Sequence, residues 1–476
     1  SEYKDIVIIE NPDDLYFTQR GLFNRALNMP ELRRYHFKVN DKTFSVFDSF
    51  FHSIARSLSD PDNIIKSHSI EMIEGDCPRA PLNVPKDIHE ETKLALNFLQ
   101  AVHALCPSIS VKRPKFQNRI LAQMSSPLLT IGFLSNAAQI LYHYPFLFDF
   151  DIRHTFFRII GLDLSYSLPF INHFFYKVPW NHRMNSMRVK CHIRRNSLFE
   201  DGLKMLQAVG PGMLRIDVFF DNEEGIGAGP TQEFLTLFCN ELCKVTTGLW
   251  RFDSTSDSEF CFSKKGLFPR PDADPKLFSV LGLLVGKAIL MDMILPLPLN
   301  PAFFKMIRGD TITVSDVDEA FAKSLDRPEG LIGLTFTYPG LPNFELCPGG
   351  NDKDVTKSNL QEYVDLIKKA TIELTDITNA FREAFSTIVQ WETLKVLSDE
   401  EICLLIEGQN AQITEDDLKS SVVISHGYTE DSPQVQYLFE TILEMDHHQQ
   451  SSFIKFITGC DKLPIGGLKK LQPNLT

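Results

Sequence analysis

The chain of 476 residues has 43% hydrophobic residues, 23% charged residues and a formal net charge of −13. This length allows several domains with well-filled cores, and the composition is that of a globular protein rather than a disordered one. The excess of acidic residues argues against a protein whose main task is to grip nucleic acid by electrostatics, and it favours basic or apolar partners.

Nine cysteines are scattered along the chain without a Cys-x-x-Cys pair or a regular framework. This odd and irregular set is typical of reduced thiols, so we expect a cytoplasmic and also nuclear protein. Cys239 and Cys243 lie four residues apart, but no second Cys or His pair has matching spacing. Core packing is therefore favoured over a metal site. The chain begins at Ser1 without a charged and then apolar leader, which predicts an internal fragment rather than a secreted protein.

The first third of the sequence carries no recognisable chemistry. The run IVIIE at residues 6–10 predicts a short strand. Later parts of this third are dense in Leu, Ile, Phe and Tyr, which predicts helices with an aromatic core. We predict a helical region of unknown role over residues 1–182.

Two arginines precede the leucine pattern of HIRRNSLFEDGLKML at residues 192–206. The leucines keep helical spacing, so a helix is predicted here. Arg194 and Arg195 are interpreted as a solvated face of that helix, and we assign them no catalytic role.

The stretch LRIDVFFDNEEGIGAGPTQEFLTLFCNEL at residues 214–242 is the most informative in the chain. Its alternating apolar residues predict a strand with one buried face, and three glycines then allow a tight turn. Pro230 suits the first turn of an amphipathic helix. We reject a phosphate-binding loop, because Asp221, Glu223 and Glu224 precede the glycines and would repel a polyphosphate.

Residues 277–299 form the most apolar run of the chain. Lys287 and Asp292 interrupt this run, and Pro296 and Pro298 end it. A buried helix in a large core is therefore predicted instead of a membrane span.

Taken together, these motifs resemble the catalytic domain of HECT-type ubiquitin ligases. The matching segments are VKCHIRRNSLFEDGLKML, LRIDVFFDNEEGIGAGPTQEF, GLF and LLVGKAI, followed later by HGYT, TG and LPIGG. The glycine-rich acidic turn, GLW at 248–250 and GGLKKLQPNLT at 466–476 resemble the ubiquitin-fusion-degradation branch more closely than the ligases with WW domains. The resemblance covers the larger, C-terminal part of the chain.

The resemblance implies an α+β fold that is predominantly helical. A bilobal HECT domain would follow the helical region, with a large helical N-lobe containing β-hairpins at 183–408 and a partial α/β C-lobe at 409–476. Within the N-lobe, residues 309–341 would form the small subdomain that receives the conjugating enzyme.

Gly408, Gln409 and Asn410 fall where the family has its interlobe hinge. Short polar segments with glycine suit hinges because few contacts oppose a change in their backbone dihedral angles. An ordinary loop fits these three residues equally well.

A transient protein interface needs exposed apolar residues, with aromatic residues near its centre. The candidates for contact with the conjugating enzyme are Phe321, Leu325, Leu331, Leu334, Phe336, Tyr338 and Leu341. The alternation in LIGLTFTYPG puts Leu334, Phe336 and Tyr338 on one face of a strand, so half of the set can equally belong to the core.

By resemblance, the chain is part of an E3 ubiquitin-protein ligase. A cysteine thiolate would accept ubiquitin from a conjugating enzyme as a thioester and pass it to a lysine of a substrate or of ubiquitin. In the family this cysteine follows the Leu-Pro-x-Gly-Gly motif, so we expect it beyond Thr476 and assign no catalytic residue within the chain. Cys460 matches a position where the family has a small residue, and it is not assigned as the nucleophile.

The implied partners are a ubiquitin-conjugating enzyme, ubiquitin, protein substrates and the proteasome, with polyubiquitin chains and degradation as the outcome. No metal, organic cofactor, nucleic acid or membrane is implied. The alternative is a non-catalytic HECT-like scaffold that binds the conjugating enzyme or ubiquitin without transferring it.

Overall fold

The computed structural model describes residues 141–162, 188–252 and 258–471, together with the backbone of the strands at 6–10, 35–39 and 42–44. The chain forms two compact units, one of residues 1–184 with 392–398 and the other of residues 185–391 with 399–476. Most of the buried apolar side chains of the described residues belong to the second unit.

Strands β1 (Ile6–Glu10), β2 (Tyr35–Val39) and β3 (Lys42–Phe44) form an antiparallel sheet in the first unit. Strand β1 confirms the strand predicted at residues 6–10. The region predicted as helical thus also contains a sheet, and most of its remaining residues up to 140 lie outside the described part of the chain.

Helix α1 (Phe150–Gly161) lies in the first unit. Its first turn is capped by Asp149, whose carboxylate accepts a hydrogen bond from the amide of Ile152 at 2.9 Å. The guanidinium of Arg153 donates to the carbonyl oxygen of Val396 at 3.2 Å. This bond links residues 392–398 to the unit that contains α1.

The second unit is mainly helical. Its helices are α2 (Leu198–Val209), α3 (Ala228–Leu242), α4 (Pro275–Met291), α5 (Pro301–Arg308), α6 (Val314–Val317), α7 (Glu319–Leu325), α8 (Leu360–Ile372), α9 (Thr375–Ser386), α10 (Asp399–Glu407), α11 (Glu415–Ser421), α12 (Pro433–Glu444) and α13 (His447–Thr458). Its strands are β4 (Arg188–Ile193), β5 (Arg215–Phe220), β6 (Thr337–Tyr338), β7 (Leu341–Glu345), β8 (Gln409–Asn410) and β9 (Lys462–Leu463). The predicted α+β fold with predominantly helical content is confirmed.

Strands β4 and β5 are parallel neighbours, and helix α2 connects them. Three alternate residues of β5 are buried, namely Ile216, Val218 and Phe220. The strand predicted from this alternation is confirmed. Helix α2 and helix α3 approach closely at Gly202, where an added methyl group would lie 2.6 Å from the ring of Phe238.

Helix α4 lies in the core of the second unit and packs along helix α9. Asp274 caps its first turn by accepting a hydrogen bond from the amide of Lys276 at 3.0 Å. Twelve of its residues are buried, which confirms the buried helix predicted within residues 277–299. Among the described residues, no helix has both the length and the apolar character needed to cross a bilayer.

A separate core forms around helices α6, α7 and α8 and the antiparallel pair β6–β7, in which Tyr338 faces Leu341. Its buried members are Val314, Leu325, Phe336, Tyr338, Val355, Tyr363, Val364 and Ile367. Because helix α8 supplies three of these residues, this small subdomain extends beyond the boundary predicted at residue 341.

Another separate core lies between Ala411 and Leu468, and helices α11, α12 and α13 surround it. Its buried members are Ala411, Ile413, Leu418, Phe439, Ile442, Ile454, Leu463 and Leu468. We call residues 409–471 the terminal segment. It begins at strand β8, directly after Gly408, the first residue of the predicted hinge.

Candidate functional site

The predicted hinge begins at a glycine that no other residue could replace without strain. Gly408 has a φ of 78°, which favours glycine over residues with a side chain. An added methyl group would lie 2.7 Å from the carbonyl oxygen of Leu463 and 3.1 Å from the side chain of Ile294. Gly408 therefore allows both the turn of the backbone and the close approach of β9.

Strand β8 pairs with β9, so the other two predicted hinge residues lie in a short antiparallel ladder. Gln409 faces Leu463 and Asn410 faces Lys462. The ammonium of Lys462 donates to the side-chain oxygen of Asn410 at 2.6 Å and to a carboxylate oxygen of Glu407 at 3.3 Å. Glu407 is the last residue of helix α10, so Lys462 joins the residues on both sides of Gly408.

The N-terminal part of helix α3 forms hydrogen bonds with β5 and with residues near this hinge. The hydroxyl of Thr231 accepts a hydrogen bond from the amide of Val218 in β5 at 3.0 Å. The side-chain amide of Gln232 donates to the carbonyl oxygen of Ile294 at 2.7 Å and accepts from its amide at 3.1 Å. Ile294 in turn contacts the position of Gly408. The sequence alone did not assign a role to Gln232. Its only visible signal in the sequence is a polar side chain just before the apolar residues of the helix.

Arg195 links the acidic turn to helix α3. Its guanidinium donates to Glu233 in the helix at 2.8 Å and makes a forked pair with Glu223 of the turn. It also lies over the ring of Phe220 at 4.0 Å from the centroid. The hydrogen bonds to Glu223 and Glu233 raise the pKa of Arg195 above its ordinary value. Arg195 is solvent-exposed, as predicted, and its exposed ion pairs also connect the acidic turn with helix α3.

The structure separates the predicted partner-binding residues into two groups. Leu325, Phe336 and Tyr338 are buried in the core of the small subdomain. In this conformation they cannot touch a partner, and the alternative interpretation as core residues applies to them.

The remaining candidates lie nearer the surface. Phe321, Leu331 and Leu341 are partly buried and pack against the core of the small subdomain. Leu334 is 43% exposed, and its neighbour Ile332, which was not predicted, is 39% exposed. The exposed apolar surface of this subdomain is thus centred on Leu334 and Ile332, and its role as an interface stays a prediction.

None of the described cysteines is an exposed thiol. Five of them are buried, and Cys243 and Cys347 are half-buried. Burial raises the pKa of six thiols, namely Cys191, Cys239, Cys243, Cys261, Cys403 and Cys460. Because the thiolate is the reactive form of cysteine, these six are poor nucleophiles near neutral pH. Within the described residues, no three His, Cys, Asp or Glu side chains are grouped as a metal site requires.

Comparison with known proteins places this architecture in a family. The sequence profile of the HECT domain (ubiquitin-transferase) matches residues 236–476. A probable ubiquitin fusion degradation protein of Schizosaccharomyces pombe is 31% identical over 369 residues, which are 70% of this chain and 22% of that protein. The E3 ubiquitin-protein ligase TRIP12 of Danio rerio is 30% identical over 401 residues, which are 70% of this chain and 20% of that protein.

A third relative is ubiquitin fusion degradation protein 4 of Saccharomyces cerevisiae, 27% identical over 442 residues, which are 80% of this chain and 29% of that protein. The chain thus spans between a fifth and a third of the length of these relatives. The profile match covers half of the chain, and the relatives named for ubiquitin fusion degradation agree with the predicted branch. The chain belongs to the HECT-domain family of ubiquitin transferases.

Proposed function

We propose that this protein is an E3 ubiquitin ligase that accepts ubiquitin from a conjugating enzyme as a cysteine thioester and transfers it to lysines of substrates or of ubiquitin. The observation that carries the proposal is the HECT-domain match over residues 236–476. The printed names of the relatives, which include E3 ubiquitin-protein ligase and ubiquitin fusion degradation protein, support it. Polyubiquitin chains and proteasomal degradation are the proposed outcome, and the word degradation in the names of two relatives is consistent with it.

The separate cores of the second unit support a mechanism of ordered positioning. A thioester relay requires the part that carries ubiquitin to face the conjugating enzyme first and the acceptor lysine next. The terminal segment has its own core and follows Gly408 directly in the chain. A change in the backbone dihedral angles of Gly408 would turn this segment as one body, so Gly408, Gln409 and Asn410 are the proposed hinge.

The small subdomain is the proposed site for the conjugating enzyme. Its core is separate, so its surface can take part in binding without disturbing the packing of the large helices. Leu334 and Ile332 are its exposed large apolar residues, and a desolvated apolar centre is what such an interface needs.

The thioester is proposed to form at a cysteine outside the described residues. The described thiols are buried or half-buried, and burial raises the pKa of six of them. A ubiquitin C-terminus could not reach a fully buried sulfur without local unfolding. The seven described cysteines are all free thiols, which also supports a reducing compartment such as the cytosol or nucleus.

The test is to incubate the full-length protein with activating enzyme, conjugating enzyme and ubiquitin, and to separate the products on a non-reducing gel. We expect a ubiquitin adduct that a thiol reductant removes and that one cysteine substitution abolishes. Substitution of half-buried Cys243 by Ala serves as the control and is expected to leave the adduct. Binding of the conjugating enzyme without any adduct would contradict the ligase and favour the non-catalytic scaffold.

A further inference from the structure

The end of helix α13 rests directly on helix α3. Gly459 follows α13 with a φ of 82°, so it ends the helix in a left-handed conformation. An added methyl group at Gly459 would lie 3.0 Å from the backbone nitrogen of Glu233 and 3.3 Å from its Cα. The two backbones can approach this closely because residue 459 has no side chain.

The next residue adds a buried contact with the same helix. Cys460 is 1% exposed, and its thiol lies near the side chain of Thr236. The thiol of Cys239, one turn further along α3, lies near Cys460. Glu233, Thr236 and Cys239 therefore form a strip of α3 that receives residues 459 and 460.

This contact opposes rotation of the terminal segment. Gly408 precedes β8, so rotation there moves β8, its partner β9 and the core of the segment together. Such a rotation can preserve the bond between Lys462 and Asn410, which both move. It must separate Gly459 and Cys460 from α3, which does not move.

We propose that Gly459 and Cys460 form a latch on helix α3, and that this latch must open before the terminal segment can turn about Gly408. The proposal rests on the proposed function, because it gives a second restraint to the proposed hinge. Helix α3 then restrains both the residues beside Gly408 and the end of α13. It holds Ile294 beside Gly408 through Gln232, and it holds the end of α13 through Glu233 and Thr236.

Two glycines of the terminal segment provide a matched test. Gly459→Ala introduces an alanine with a left-handed backbone, and its methyl group would press against the backbone of α3 at 3.0 Å. Gly427 has nearly the same φ, 84°, but an added methyl group there meets nothing within 4 Å. Gly427→Ala therefore carries the same backbone strain without the contact. The two variants and the unaltered protein, each as the full-length chain, are compared by amide hydrogen exchange resolved by peptide.

With Gly459→Ala we expect several-fold faster exchange at residues 408–412 and 459–464, because the latch holds these strands in place. The amides of α11 and α12 should keep their protection, since their core is separate. Gly427→Ala should leave residues 408–412 and 459–464 unchanged. Thr236→Val, which replaces the hydroxyl with a methyl group of similar size, should produce a smaller change in the same direction.

Equal exchange in Gly459→Ala and Gly427→Ala would overturn the latch. Faster exchange throughout residues 411–471 in Gly459→Ala would also overturn it, because Gly459 would then serve the fold of the segment rather than its attachment. The measurement involves no ubiquitin. A failure of the latch and a failure of the proposed ligase activity are thus read from different experiments.

Discussion

Lys287 shows how one buried cation can be accommodated in an apolar helix. Its side chain is 1% exposed in the middle of α4. The ammonium donates to the carbonyl oxygens of Gly212 at 2.7 Å and Leu214 at 3.0 Å. It thereby ties the loop before β5 to the core helix. Burial nevertheless disfavours the charged form and lowers the pKa of Lys287 from 10.5 to about 8.

This lowered pKa predicts a pH dependence of stability. Between the folded value of about 8 and the ordinary value of 10.5, the unfolded chain binds a proton that the folded chain does not. The free energy of unfolding should therefore rise with pH in this range. In Lys287→Met this contribution is absent. The difference in unfolding free energy between the two proteins should change by about 1–2 kcal/mol in favour of the unaltered protein between pH 7.5 and about 9.5.

Urea unfolding of both proteins at the two pH values measures this difference. Other ionisable groups are common to both proteins, so their titration cancels in the comparison. Parallel pH profiles for the unaltered protein and Lys287→Met would contradict the prediction and show that Lys287 keeps its proton throughout this range.

The burial and the distant partners of single side chains could not be predicted from the sequence. Alternation in the segment before β7 could not separate Phe336 and Tyr338, which are buried, from Leu334, which is exposed. Period-two alternation assumes a long strand, whereas β6 has only two residues. The partners of Arg195 and Gln232 are 28 or more residues away along the chain, so no local pattern could reveal them.

At the scale of elements, the contact between α4 and α9 depends on a small residue. An added methyl group at Gly282 would lie 2.4 Å from the carbonyl oxygen of Phe381 and 3.1 Å from the Cβ of Ala384. Both neighbours belong to the rigid helix α9. We expect Gly282→Ala to lower the free energy of unfolding by roughly 1–3 kcal/mol, because the helices must move apart.

Gly229→Ala is the matched control for this change. Gly229 lies in the first turn of α3, and an added methyl group there meets nothing within 4 Å. Alanine is the better helix former, so this variant should be as stable as the unaltered protein or slightly more stable. Thermal unfolding of both variants measures the contrast. Equal losses of stability would mean that packing at Gly282 is not the cause.

Elements with a strong local pattern were predicted well from the sequence. Strand β5 and helix α3 follow the period of their apolar residues. The turn between them was predicted from its glycines. The core helix α4 was also predicted, because its charged residues excluded a membrane span. The pairing of β8 with β9 was not, since it joins two-residue strands that are 52 or more residues apart in the chain.

At the scale of the whole molecule, the second unit contains parts with separate cores. The small subdomain and the terminal segment each have their own buried cluster. The sequence located both parts only through the resemblance to a family, because separate cores depend on contacts between distant helices. This organisation means that a change on the surface of one part should leave the others folded.

Because the core of the small subdomain is separate, binding and folding can be disturbed independently there. Leu334 is exposed, and its carbonyl oxygen accepts a hydrogen bond from the amide of Val355 at 2.7 Å, which alanine would retain. Leu334→Ala should therefore weaken binding of the conjugating enzyme roughly five- to tenfold without changing the melting temperature. Leu325→Ala empties a position that is 2% exposed and should lower the free energy of unfolding by about 2–5 kcal/mol.

Calorimetric titration with the conjugating enzyme and thermal unfolding measure the two effects independently. Leu443→Ala, on the exposed face of α12 in the terminal segment, is the control for loss of an exposed leucine elsewhere. Its affinity for the conjugating enzyme should equal that of the unaltered protein. If Leu334→Ala also binds with unaltered affinity, Leu334 does not anchor the conjugating enzyme. Unaltered affinity in Ile332→Ala as well would then place the binding site outside the surface around Leu334 and Ile332, which are the exposed large apolar residues of the described small subdomain.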